Sequence, residues 1–414
     1  MSRKVAWGRT DGAAERAGIV PARRAEPRTT NGGSIMVAVE KTGRNVAVDV
    51  YRGFVMLLMM AEILQLARVA KALPGNAFWG FLAYHQTHTE WAGCSLHDTI
   101  QPGFSFLVGV ALPYSIASRM TRGGTFRNLF LHALWRGLLL AALGIFLRSM
   151  HSPQTYFTFE DTLTQIGLGY PLLFLVAFRP PKWQWAALGV ILFGYWLAWA
   201  LYPAPQPGAF TGFLAHWNKG DNFGNAFDVW FLNLFPRVKP FTENGGGYLT
   251  LSFLPTLGTM LLGLAAGQWL RESAPAIPMR KLLAAGGIGI VTGLLLHFTG
   301  ICPVVKRIWT PAWTLFSGGL CFLFLAGFCW LTEVKQWRRW AFPLVVVGTN
   351  SIAAYLIAHL WEKFFLDTFR IHLGSHFFAF FGTPYEPLLR GIAVLAAYWL
   401  VLWWMYRQKL FLKV

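Results

Sequence analysis

A chain of 414 residues in which 55% are apolar and only 13% charged carries about half the charged share of an ordinary soluble globular protein, which argues against a soluble fold. Its formal charge of +18 would suit a nucleic-acid binder, but the basic residues lie between apolar runs, so no nucleic-acid partner is expected. Cys94, Cys302, Cys321 and Cys329 show no CxxC or other ligand-like spacing, so no metal is expected either.

Residues 1–45 come first: nine Lys or Arg within the first 44 positions and no apolar core predict a disordered basic tail. Its length leaves no n-region of signal-peptide proportions, and Met36 offers a second translation start. From residue 46 onward, apolar windows recur at the length of about 20 residues that a helix needs to cross a hydrocarbon core about 30 Å thick. They predict spans at 46–66, 98–118, 129–147, 161–178, 183–202, 248–270, 282–301, 311–331, 342–360 and 388–405. The expected fold is therefore all-α, a polytopic membrane helix bundle with about ten transmembrane helices, and residues 46–414 form a single transmembrane domain.

Short connections containing Arg119/Arg122/Arg127, Arg179/Lys182, Arg271/Arg280/Lys281 and Lys335/Arg338/Arg339 alternate with longer ones in which basic residues are sparser. The positive-inside rule puts the short loops, the tail and Arg407/Lys409/Lys413 in the cytoplasm, so both ends are cytoplasmic. Segments 67–97, 148–160, 203–247, 302–310 and 361–387 then face the other side. No organelle-targeting pattern is present, and the expected location is a bacterial inner membrane.

An ionisable side chain at the centre of a span costs about 2.5–3.5 kcal/mol, so those that occur need a partner or a task. Asp49 and Arg52, three apart on one face of the first helix, predict a structural ion pair. Glu62 faces segment 67–97 from the far end of that helix, and Arg136 belongs in the bundle interior. The densest polar stretch runs from Tyr84 to Asp98 and holds His85, His88 and His97. A histidine titrates near neutrality and takes a proton from an amine or hydroxyl when a carboxylate orients its other nitrogen, and Asp98 or Glu90 is placed to be that carboxylate. Asp98 at the start of a helix would equally serve as a cap. His85 and His88 have the spacing of two zinc ligands, but no third or fourth is visible.

From this stretch the sequence resembles the heparan-alpha-glucosaminide N-acetyltransferase family and its bacterial relatives, the domain of unknown function 5009 group. Asp49-Val50-Tyr51-Arg52-Gly53 is similar to the family's Asp-x-x-Arg-Gly element, and His88, Trp91, Gly93, Asp98, Pro102 and Phe104 match its His-x-x-Trp-x-Gly and Asp-x-x-x-Pro-x-Phe motifs without a gap. Lys306-Arg307-Ile308-Trp309-Thr310 and Gly348-Thr349-Asn350-Ser351-Ile352 resemble two later segments. The departures are Ala92, Leu163-Thr164-Gln165 and Thr242-Glu243-Asn244-Gly245, at loops or helix starts where a sugar or pantetheine would bind.

The resemblance implies acetyl transfer from cytoplasmic acetyl-CoA to an amine or hydroxyl of a glycan or amino sugar on the far side of the lipid bilayer. His88 is the implied catalytic residue, as acetyl carrier or as base, with Asp98 beside it. Glu62, His85, Glu90, Trp91, His97 and Gln165 are the expected pocket residues, and Arg136, Lys281 and Asn350 the expected contacts of acetyl-CoA. A homodimer is left open. The competing readings are a transporter or flippase of glycans or small solutes, for which no inverted repeat is visible, and a purely structural membrane subunit. Cys94 and Cys302 share the outer side, where an oxidising compartment would permit a bridge.

Overall fold

The computed structural model describes residues 45–204 and 208–412. The tail expected over 1–45 lies outside these residues apart from Asn45, as does Lys413. Asn45 opens α1 (Val46–Met60) by accepting the Val48 N–H. A short 3₁₀ turn and Gln65 in the left-handed region carry the chain into α2 (Leu66–Ala72), and Asn76 caps α3 (Ala77–Gln86). There follow α4 (Ile100–Met120), α5 (Phe126–Ser149), α6 (Thr162–Ala177), α7 (Pro181–Leu201) and α8 (Phe223–Leu232). The second half comprises α9 (Phe253–Ser273), α10 (Met279–Phe298), α11 (Pro311–Cys329), α12 (Phe342–Thr349), α13 (Ser351–Leu360), α14 (Glu362–Leu373) and α15 (Glu386–Arg407). Among the described residues there is no strand, only an isolated bridge between Ala92 and Val305.

Every predicted span falls on helix, and among the described residues eight segments are long and apolar enough to cross a bilayer. The other two differ from expectation. The span predicted at 342–360 is two helices bent by 82° at Asn350, and that at 161–178 is the shorter, 16-residue α6. The longer connections expected on the outer side are also more ordered than loops: 67–97 contains α3, 203–247 contains α8, and 361–387 contains α14. These helices are too short to register as spanning apolar runs.

The bundle is built around α9, whose face toward α4 is a small-residue seam. A Cβ on Gly263 would overlap the Phe106 carbonyl, and one on Gly109 the Met260 carbonyl, so the two backbones are in direct contact. This contact fixes α4, and α4 presents the candidate site from its first turn. Gly263→Leu is therefore expected to lower the thermal unfolding midpoint in detergent, by an overpacking cost of about 1–3 kcal/mol or more. Gly287→Leu, where a Cβ meets nothing within 4 Å, should leave the midpoint unchanged.

Candidate functional site: a buried carboxylate, histidine and lysine beside a polar cavity

The chain between α3 and α4 folds back over the start of α4 and is fastened to the connection between α10 and α11. Gly93 has φ of 115°, a conformation other side chains rarely adopt, and its N–H donates to the Val304 carbonyl beside the Ala92–Val305 bridge. Trp91 is buried and donates its indole N–H to the Trp217 carbonyl at 3.0 Å, so it anchors this loop to the connection between α7 and α8. The fastening brings His88 against Lys306, 218 residues later.

Asp98 is fully buried in the single 3₁₀ turn that precedes α4. Its Oδ2 accepts from the Ser95 N–H (3.0 Å), the Ser95 hydroxyl (3.1 Å), the Thr89 N–H (3.2 Å) and the Thr89 hydroxyl (3.0 Å). These donors belong to the preceding loop, so Asp98 organises that loop rather than capping the helix. Its Oδ1 faces His88 Nδ1 at 2.8 Å and Lys306 Nζ at 3.3 Å. A carboxylate with so many donors stays ionised, and the Nδ1–H of His88 is the proton that suits Oδ1. That tautomer follows from the partners and leaves Nε2 with a free lone pair. Burial pushes the His88 pKa below its ordinary value; the hydrogen bond to Asp98 opposes this, and the Lys306 ammonium adds to it. Burial also lowers Lys306, against the pull of Asp98.

His88 borders a cavity of about 650 Å³. A second pair stands next to it: His97 Nε2 lies 3.0 Å from Glu62 Oε1, and the His97 ring centroid is 4.5 Å from that of His88. The cavity wall carries the carboxylates of Glu62, Glu160, Asp161 and Glu362 against the cations Arg148 and Lys306. Gln101 also lines it, oriented by its 2.9 Å bond to Gln165 Oε1.

The sequence-predicted residues therefore divide. His88, Asp98, Glu62 and His97 come together, and Gln165 supports the wall from behind through Gln101, Thr256 and the Glu160 carbonyl. His85 turns away, accepting the Leu96 N–H at 3.2 Å, and Glu90 is exposed and outside the cavity lining, so Asp98 is the carboxylate at His88. The three residues expected at acetyl-CoA do not line this cavity. Arg136 reaches the Tyr170 hydroxyl at 3.2 Å, Lys281 is exposed on α10, and Asn350 holds the C-terminal segment through the Leu410 carbonyl (2.9 Å) and the Leu412 N–H (3.1 Å). Asp49 and Arg52 lie 3.3 Å apart near the start of α1. Cys94 and Cys302 are free thiols, each pushed up to about 12 by burial, so the bridge considered between them is not formed. Sequence reasoning missed Lys306, Arg148, Glu160 and Glu362. Only Lys306 carried a signal, its place at the head of the 306–310 motif.

No family model matches the sequence. Over 431 aligned residues the chain is 22% identical to the heparan-alpha-glucosaminide N-acetyltransferase of Mus musculus, covering 89% of this chain and 60% of that protein. It is 23% identical over 419 residues to the protein of the same name from Homo sapiens, covering 89% of this chain and 59% of that one. The chain thus spans about three-fifths of the length of these curated relatives. Across nearly its whole length it is a distant relative of the heparan-alpha-glucosaminide N-acetyltransferases.

Proposed function

We propose that this protein is a membrane-embedded acyltransferase that moves an acetyl group from cytoplasmic acetyl-CoA to an amine or hydroxyl of a sugar on the far side of the membrane. The observation that carries the reading is the His88–Asp98 pair at the cavity edge, with Asp98 taking the Nδ1 proton contact and Nε2 left with its lone pair. The bundle then crosses the bacterial inner membrane about ten times, with both ends in the cytoplasm. A charged thioester donor does not cross a bilayer, so donor and acceptor must meet inside such a bundle. The predominantly acidic wall suits the acceptor's amine and repels phosphates. The CoA nucleotide accordingly belongs outside this cavity, toward the basic cytoplasmic face.

In this mechanism His88 Nε2 attacks the thioester carbonyl carbon. A C–N bond forms, the C–S bond breaks, and its electron pair leaves with the CoA sulfur, which takes a proton from water. The acceptor nitrogen then attacks the acetyl carbon, and the breaking C–N bond returns its pair to Nε2. The proton shed by the acceptor passes to the Glu62 carboxylate, which His97 orients, and from there to water.

The test is a reconstitution. Purified protein in liposomes, given labelled acetyl-CoA on its cytoplasmic face and glucosamine-terminated acceptors on the other, should label the acceptor. Acceptor moved across the bilayer without acetylation would favour a flippase and sink the reading. For the topology, Thr211→Cys in a Cys94→Ser background should react with an impermeant maleimide from the outer face only. Labelling from the cytoplasmic face alone would invert the assignment.

A further inference from the structure

Lys306 heads the 306–310 motif, which by itself assigns it no role in this site. It is 4% exposed, and its Nζ stands 2.9 Å from His88 Nδ1, 3.5 Å from Nε2 and 3.3 Å from Asp98 Oδ1. The Nδ1 proton serves one acceptor, and with it on Asp98 the ammonium cannot also be donating to Nδ1. Its favourable partner is Asp98, and toward the imidazole it acts as a neighbouring positive charge. Asp98 and Lys306 cancel, so the trio is neutral only while His88 is neutral. Protonating the ring would set two cations against one carboxylate in a buried site.

The same distances bear on the acyl group. A carbonyl carbon bonded to Nε2 sits about 1.5 Å from it, with its oxygen roughly 2.4 Å away, which falls within donor reach of an ammonium at 3.5 Å. The remaining charged and titratable groups around His88 do not supply this. His97 and Glu62 pair with each other, and Arg307 is spent on the Gly246 and Thr89 carbonyls.

We propose that Lys306 works directly with His88: its ammonium holds the imidazole neutral with Nε2 available, and it receives the negative charge that develops on the acyl oxygen. This rests on the acetyl-transfer reading for its biological meaning, but its test does not use acetyl-CoA. Diethyl pyrocarbonate acylates only neutral imidazole, through an oxyanion of the same kind, and mass spectrometry resolves His88 from His85 and His97.

In wild type the rate of His88 modification should rise to a plateau with a midpoint below the ordinary histidine value. Lys306→Met should move the midpoint up by about one to three pH units. It should also lower the plateau rate by about 10²-fold. Lys306→Arg should keep the midpoint near wild type. Because Lys306→Met strands the Asp98 carboxylate, the comparison of Asp98→Asn with Asp98→Asn/Lys306→Met repeats the midpoint measurement without a buried acid. A midpoint that rises in neither comparison, or a plateau rate that does not fall in Lys306→Met, overturns the proposal. If the shifts occur while the reconstituted protein transfers no acetyl group, it is the acetyl-transfer reading that fails and the role of Lys306 that stands.

Discussion

His88→Ala is expected to reduce acetyl transfer from acetyl-CoA to a glucosamine-terminated acceptor by at least about 10²–10⁴-fold, and by more where the acetyl group is carried covalently. Within the proposed mechanism, Nε2 both accepts the acetyl group and releases it, and none of the neighbouring groups substitutes. Lys306 is cationic, His97 is engaged with Glu62, and His85 faces away from the cavity. His88 is partly exposed on the cavity side, so its truncation leaves the Asp98 network of Ser95 and Thr89 intact and the protein folded. The pH profile supplies a second readout. Because burial and Lys306 depress the His88 pKa, the reactive neutral form persists to lower pH than for an ordinary histidine. kcat/KM should hold its plateau to below about pH 6.5 and fall only as the pH drops through the lowered value. Full activity in His88→Ala, with loss in His85→Ala or His97→Ala, would move the chemistry to another histidine.

Asp98→Asn should cost about 10⁴-fold in kcat while nearly preserving shape. An amide that turns its NH₂ toward Nδ1 makes that nitrogen an acceptor and puts the proton on Nε2, where the lone pair is needed. Stability should fall as well. Lys306 would be left as a buried cation without its counter-charge, and breaking a buried pair in this way costs about 3–5 kcal/mol. The double variant Asp98→Asn/Lys306→Met should recover part of the thermal stability without recovering activity. A single Asp98→Asn variant with wild-type kcat would show that the carboxylate only organises the loop.

The His88-to-Asp98 half of the site was legible because both residues lie in one short stretch with a motif's spacing. The helices were legible because lipid demands long apolar runs. The bend at Asn350 was not, since a hydropathy pattern reads through a break whose polar groups are satisfied by a distant segment, here the backbone at Leu410 and Leu412. The same limit applies to Arg136 and Asn350. A costly polar residue inside a membrane announces that it has a partner without naming it, and the partners were a tyrosine hydroxyl and the chain's own C-terminal segment. Lys306 was hidden for a plainer reason: nothing in a linear pattern pairs residues 218 positions apart.

The fastening of the His88 loop to the connection before α11 has a consequence for biosynthesis. As the chain is made, the segment that carries His88 and Asp98 emerges long before Lys306 leaves the ribosome. Until then Asp98 lacks its Lys306 counter-charge and the loop lacks its backbone partners at Val304 and Val305. The nascent first half therefore carries the His88 loop without the contacts that fix it in the finished fold. The constellation of His88, Asp98 and Lys306 is assembled only when the second half has inserted, so the order of synthesis makes the site a late product of folding.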